Sequence, residues 1–132
     1  MKKILFVCVE NSCRSQMAEA WARALGQGIL EPYSAGSKPS GEVNPDAVLA
    51  MKKAGIDISG QRSKGFNDLP VGRFDYVVTM GCQDVCPVVP AEKSASWDIP
   101  DPKGKDQVFF DQVRDQIRQK IDELIREILQ SG

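Results

Sequence analysis

Two kinds of apolar pattern occur in turn along the chain: short continuous runs, and positions spaced three or four residues apart. Together they predict strands separated by helices. Short apolar runs typical of buried strands cover residues 3–7, 29–34, 76–80 and, more weakly, 94–97. Apolar positions at helical steps of three and four cover residues 15–25, 45–54 and, most regularly, 110–128, with a shorter helix predicted at 63–69. Asn44 and Pro45 are typical of a helix start, and Gly26 and Gly55 of helix ends.

This order of elements indicates an α/β fold. Strands that alternate with helices form a parallel sheet, and helices cover both faces of such a sheet. No linker, internal repeat or low-complexity tract interrupts residues 1–132, so we predict one domain. We also expect a monomer. A chain of 132 residues is long enough to bury a core without disulfides or structural metals.

Charge and composition exclude several classes of function. The formal net charge is -1 and charges of both signs are mixed, so neither nucleic acid nor a membrane is an expected partner. The apolar run near the N-terminus is too short for a signal peptide, and we expect a cytoplasmic protein. Histidine is absent, which excludes Cys–His and Ser–His catalytic pairs and histidine-ligated metals.

The four cysteines are the main candidates for chemistry: Cys8, Cys13, Cys82 and Cys86. In a reducing compartment cysteines are more often catalytic, redox-active or metal-binding than joined in structural disulfides. A zinc-binding module is one alternative, but intervals of four and three intervening residues are loose for a structural zinc site. We therefore predict neither a metal nor a bound cofactor.

The loop after the first strand has the composition of an anion site. It consists of Cys8, Val9, Glu10, Asn11, Ser12, Cys13, Arg14 and Ser15. The loop leads into a helix N-terminus, where open α/β sheets bind ligands and where inward N–H groups surround an anion. Asn11 tolerates the left-handed backbone that such a loop needs, and Arg14 is placed to bind two oxygens of an oxyanion. Cys8 is the predicted thiolate nucleophile, whereas we interpret Cys13 as loop packing.

The helix N-terminus alone does not make Cys8 reactive. It stabilises an anion by roughly 0.3–2 kcal/mol, which is too little to ionise an ordinary thiol fully at neutral pH. The inward amides, Arg14 and the Ser15 hydroxyl are therefore expected to contribute.

Without histidine, a carboxylate must protonate a departing oxygen. Asp98 and Asp101 both follow the strand predicted at 94–97. Asp101 is the predicted general acid because prolines on both sides restrict its backbone.

Two segments, residues 8–19 and Asp101-Pro102, resemble the low-molecular-weight protein tyrosine phosphatase superfamily, and most closely its thioredoxin-coupled arsenate reductases. The similarity extends over the whole chain and implies a four-stranded parallel sheet with flanking helices. It also implies that Cys8 is the nucleophile, that Arg14 binds the oxyanion and that Ser15 stabilises the thiolate. Asp101 would be the general acid.

The superfamily contains phosphatases and reductases, and two features favour a reductase. Residues 82–87 resemble the redox segment of the reductases, which implies that Cys82 and Cys86 relay a disulfide from Cys8. The loop 37–41 has no aromatic residue to flank a phosphotyrosine ring. The expected reaction converts arsenate to arsenite with reducing equivalents from thioredoxin or another thiol donor. A phosphatase acting on phosphomonoesters is the alternative.

One position departs from the pattern of relatives that hold a potassium ion with Asn, Glu, Ser and Asp side chains. Asn11, Glu19 and Ser34 match this pattern, whereas Lys64 stands in place of the aspartate. We expect the lysine ammonium to replace the cation, and therefore no potassium requirement.

Overall fold

A computed structural model describes residues 1–81 and 89–131, which contain four strands and three α-helices. The strands are β1 (Lys2–Cys8), β2 (Leu30–Gly36), β3 (Phe74–Thr79) and β4 (Ala91–Ser96). The α-helices are α1 (Arg14–Leu25), α2 (Pro45–Lys53) and α3 (Gln107–Ser131), and a 3₁₀ helix covers Phe66–Asp68. Asn44 caps α2 by accepting the Asp46 N–H at 2.8 Å, as its residue type predicts.

The sheet has the order β2-β1-β3-β4, and all neighbouring strands are parallel. This confirms the predicted four-stranded parallel sheet. Pro32 is tolerated within β2 because β2 is an edge strand, where a missing N–H leaves no ladder bond unmade. The register places Cys8 opposite Gly36 on one side and Val7 opposite Thr79 on the other, so the loops that follow β1, β2 and β3 leave the same edge of the sheet.

In the described residues, all three α-helices pack on one face of the sheet, and the three-residue 3₁₀ helix lies on the other. Ile4 and Phe6 of β1 belong to a core that also contains the apolar residues of α1, α2 and α3. On the opposite face, Leu5 and Val7 lie in a smaller cluster against which Phe66 of the 3₁₀ helix packs. In the part of the chain that the structure describes, no helix combines the length and the hydrophobicity needed to cross a membrane.

The helix predicted at 63–69 is reduced to the three residues Phe66–Asp68. The backbone of Lys64 is used for tertiary contacts instead: its N–H donates to Asn11 Oδ1 at 2.7 Å and its carbonyl accepts the Gly36 N–H at 2.9 Å. In a helix over 63–69 the Lys64 carbonyl would accept the Asp68 N–H; here it accepts the Gly36 N–H, and the Asp68 N–H donates to the Gly65 carbonyl instead. That part of the prediction was therefore wrong.

Candidate active site

The backbone of residues 9–13 turns its carbonyl groups away from the space beside Cys8. Each of these carbonyl oxygens accepts a hydrogen bond from the surrounding protein. In chain order the donors are Lys38 N (2.8 Å), Ser40 N (3.1 Å), Gln16 Nε2 (3.1 Å), Asn44 N (2.9 Å) and Met17 N (3.0 Å). Because a trans peptide unit points its N–H opposite to its C=O, the N–H groups of residues 10–14 face inward. The loop thus forms a concave ring of donors at the N-terminus of α1.

Two residues allow the loop to turn so tightly. Asn11 has φ 52°, the left-handed conformation that Asn adopts more readily than most residues. Gly36, at the end of β2, lies directly against the loop: a Cβ there would be 2.5 Å from Val9 O and 2.8 Å from Asn11 N. A side chain at position 36 would therefore displace the loop.

A buried hydrogen-bond network orients the Ser15 hydroxyl toward Cys8. Asn11 Oδ1 accepts from Lys64 N and Gln16 Nε2, which fixes the side-chain amide so that Asn11 Nδ2 donates to Ser15 Oγ at 2.7 Å. Because Ser15 Oγ accepts this bond, its own proton is available for Cys8 Sγ, 2.8 Å away. A hydroxyl that donates to sulfur stabilises the thiolate over the thiol.

The Arg14 guanidinium is held at the open side of the ring. Its Nη1 donates to the Ile99 carbonyl at 2.9 Å, and its Nη2 lies 3.7 Å from Asp101 Oδ2. It also packs against Gly81, which follows β3 with φ 76°; a Cβ there would be 2.3 Å from Nη1. Glycine at position 81 thus makes room for the guanidinium.

Asp101, rather than Asp98, lies at the pocket. Its carboxylate is half exposed; one oxygen is near Arg14 and the other accepts the Lys103 N–H at 3.1 Å. Asp98 is exposed and does not line the pocket. The structure therefore brings Cys8, Arg14, Ser15 and Asp101 together, as the sequence predicts.

The resulting pocket has a volume of about 350 Å³. It is lined by Cys8, Val9, Glu10, Ser12, Cys13, Arg14, Gly81, Asp101 and Lys103. These residues include two cations and no aromatic ring. A second pocket of about 290 Å³ lies between β4 and α3, and none of the described residues that line it is a cysteine or an arginine.

Cys13 has the properties of a packing residue. It is 4% exposed and belongs to the core cluster beneath the loop. Burial raises its pKa to about 11, so its thiol keeps its proton at neutral pH. Cys82 and Cys86, by contrast, lie outside the described residues.

Lys64 lies among the groups that the resemblance associates with a cation. Its Nζ is 3.2 Å from Ser34 Oγ, 3.5 Å from Glu19 Oε1 and 3.0 Å from the Arg62 carbonyl. Ser34 also donates to Glu19, whose buried carboxylate is paired with Arg23 as well. Within residues 1–81 and 89–131, no group of three or more Cys, Asp or Glu side chains is placed to hold a metal ion.

Several residues of the site are not singled out by sequence reasoning. Gly81 is one; its only signal is its position after a buried strand. Gln16, which orients Asn11, is itself held by the Arg62 carbonyl, and Lys103 pairs with Glu10; both of these contacts join distant segments. No local pattern reveals such contacts.

Fold and site together define an α/β protein with a cysteine-based oxyanion loop. Over residues 3–131 the chain matches the low molecular weight phosphotyrosine protein phosphatase family, and it belongs to that family.

Three known proteins of this type are similar over most or all of this chain. A "Glutaredoxin arsenate reductase" from Synechocystis sp. is 40% identical over 131 residues, which are 97% of this chain and 99% of the relative. A solved "arsenate reductase in the phosphate binding state" is 38% identical with a TM-score of 0.86, covering 97% of this chain and 99% of the other. The thioredoxin-dependent arsenate reductase of Corynebacterium glutamicum is 32% identical with a TM-score of 0.82, covering 100% of this chain and 64% of its own.

Proposed function

We propose that the protein reduces arsenate to arsenite with Cys8 as the nucleophile. The observation that carries the proposal is Cys8 Sγ lying 2.8 Å from the Ser15 hydroxyl, beside a ring of inward N–H groups and the Arg14 guanidinium. Such donors stabilise a thiolate and a tetrahedral oxyanion alike. The choice of arsenate is supported by the relatives described as arsenate reductases and by a pocket lining without aromatic rings.

In the first step, arsenate binds to the inward N–H groups and to Arg14. The Cys8 thiolate attacks arsenic and forms an S–As bond, while one As–O bond breaks. Asp101 gives its proton to the departing hydroxyl, which leaves as water. Arg14 and the amides neutralise charge on the remaining oxygens.

The second step transfers two electrons to arsenic. Cys82 attacks Cys8 Sγ, the S–As electron pair passes to arsenic, and arsenite leaves as a Cys8–Cys82 disulfide forms. Cys86 then attacks Cys82, which releases the Cys8 thiolate and leaves a Cys82–Cys86 disulfide. An external dithiol reduces this disulfide and supplies the two electrons that arsenic received. The order of Cys82 and Cys86 rests on the resemblance.

For the electron donor we propose thioredoxin, because a Cys82–Cys86 disulfide is a substrate for a dithiol. One relative is described as thioredoxin-dependent, whereas another is named for glutaredoxin, so glutathione with glutaredoxin is the competing donor. Both systems operate in a reducing compartment, and we place the protein, as a monomer, in the cytoplasm.

Arsenate turnover by the reduced full chain, with thioredoxin, thioredoxin reductase and NADPH, tests the relay. We expect no arsenite from the Cys8→Ser variant. The Cys86→Ser variant should release one arsenite per enzyme and then stop, and Cys82→Ser should accumulate no disulfide with Cys8. Replacing thioredoxin by glutathione and glutaredoxin identifies the donor.

The family also contains phosphatases, so activity on phosphomonoesters is the second candidate. Slow hydrolysis of a phosphomonoester is compatible with arsenate reduction, because phosphate and arsenate have the same shape and charge. Rapid phosphotyrosine hydrolysis without thiol-dependent arsenite release would contradict our proposal.

A further inference from the structure

An ion pair bridges the two loops that form the pocket. Lys103 Nζ lies 2.7 Å from each carboxylate oxygen of Glu10. Glu10 is the second residue after Cys8, and Lys103 is the second residue after Asp101. Both residues line the pocket, so the pair lies at its rim.

A carboxylate within an oxyanion-binding loop is unfavourable by itself. The unpaired charge of Glu10 would repel an incoming anion. The chain has no histidine whose protonation could offset this charge near neutral pH. The paired Lys103 offsets this charge. Glu10 in turn raises the pKa of Lys103, so the lysine stays charged. Arg14 and Asp101 line the same pocket as the pair.

Lys103 is also connected to the predicted general acid. Its backbone N–H donates to Asp101 Oδ1 at 3.1 Å, while Arg14 Nη2 lies 3.7 Å from Oδ2. The loop that carries Asp101 is therefore attached to the Cys8 loop twice, once through Arg14 and once through the Lys103–Glu10 pair.

We propose that Glu10 and Lys103 are positioning residues: their ion pair keeps the pocket rim neutral and holds the Asp101 loop over Cys8. The reaction that they serve rests on the proposed function, but the pocket and its charges do not. Removing either partner should change oxyanion affinity in opposite directions, because one change leaves a free carboxylate at the rim and the other leaves a free ammonium.

The affinity test uses inorganic phosphate to protect Cys8 of the reduced full chain from iodoacetamide. We expect Lys103→Met to weaken phosphate binding and Glu10→Gln to strengthen it, each by about two- to fivefold, since both charges are partly exposed. The double variant should bind phosphate as tightly as the wild type does. High salt should reduce the affinity change of each single variant. Lys105→Met, which removes an exposed cation from the same loop, should have a smaller effect than Lys103→Met.

The positioning role is tested by kcat for arsenate. Both single variants should lower kcat, and the charge-swapped Glu10→Lys/Lys103→Glu variant should recover it. Phosphate affinities that move in the same direction in both single variants, or not at all, would refute the inference. If the phosphate affinities of the single variants change in the expected directions but no variant, nor the wild type, turns over arsenate, the proposed function alone is refuted. If phosphate does not protect wild-type Cys8 from iodoacetamide, both this inference and the proposed function are refuted.

Discussion

The two loops that enclose the pocket differ in how they are held. In the first loop, residues 8–15, Asn11 and Ser15 are fully buried and Cys8 is 3% exposed, and the carbonyls of residues 9–13 all have partners. In the second, the side chains of Asp101 and Lys103 are each 54% exposed and are held by two polar contacts across the pocket. The first loop is thus a rigid binding element, formed before any anion arrives, whereas the second depends on contacts that water and salt weaken.

This difference sets the expected scale of mutational effects. Leaving a buried hydrogen-bonding group without a partner costs about 1–3 kcal/mol, whereas an exposed ion pair contributes about 0–1 kcal/mol. Changes in the first loop should therefore affect folding and anion binding together. Changes in the second loop should affect affinity and rate while stability stays nearly constant.

The largest effect is expected from a substitution at Gly81, because a methyl group there would displace the Arg14 guanidinium from its contacts. In Gly81→Ala the new Cβ would overlap Arg14 Nη1, so the guanidinium must leave its position. Phosphate affinity should fall by about tenfold or more, since a charge-assisted contact is lost. Gly55→Ala is the matched control: φ is 87° there and no atom lies within 4 Å of the Cβ, so it carries the backbone strain without the clash. Equal phosphate affinity in both variants would show that Gly81 does not determine the position of the Arg14 guanidinium.

Asn11→Ala should produce the next largest effect. It leaves the partly buried Lys64 N–H without its acceptor and removes one bond each from Ser15 Oγ and the Gln16 amide, which keep their other partners. We expect a loss of about 1–3 kcal/mol in the free energy of unfolding. Because Ser15 is no longer oriented, iodoacetamide should also react more slowly with Cys8 at neutral pH. Urea denaturation and alkylation rates measure the two effects. As a control, Asn67→Ala at an exposed position should change the free energy of unfolding by less than about 0.5 kcal/mol. If Cys8 reacts with iodoacetamide at the wild-type rate in Asn11→Ala, the hydrogen-bond network does not activate Cys8.

The same difference between the loops decides how much could be predicted from the sequence. Cys8, Arg14 and Ser15 are neighbours along the chain, and a strand before and a helix after them suffice to predict their shared role. Asp101 could be chosen over Asp98 from its flanking prolines, because local backbone restriction is visible in the sequence.

The contacts between the loops could not be predicted in this way. Gly81 and the Ile99 carbonyl reach Arg14 only because β3 lies beside β1 and β4 beside β3, and alternation alone does not specify the order of the strands. The helix expected at 63–69 failed for a related reason, since the Lys64 backbone bonds to Asn11 and Gly36. Tertiary hydrogen bonds override local propensity there.

Lys64 allows a sharper test of what supports the first loop. If its ammonium takes the place of a cation between Glu19 and Ser34, wild-type stability should be the same in KCl and NaCl at equal concentration. In Lys64→Asp the introduced carboxylate creates an oxygen-rich cavity, and KCl should stabilise the variant by about 1 kcal/mol once potassium exceeds its Kd about fivefold. Lys52→Asp, at an exposed position on α2, should show no such ion preference. A wild type that needs potassium would contradict the role of Lys64.

The smallest effect concerns Cys13 and appears only in alkaline solution. Its pKa is raised by burial from 9.0 to about 11, so above pH 9 the unfolded chain releases a proton that the folded protein keeps. Stability from this thiol is therefore complete below pH 9 and is lost as the pH rises from 9 toward 11, by about 0.8 kcal/mol at pH 9.5. Urea unfolding of wild type and Cys13→Ala between pH 8 and 10 measures it: the variant should depend less steeply on pH. Parallel curves would mean that the thiol ionises as readily in the folded loop as in the unfolded chain, and the first loop would then be more open to water than its burial indicates.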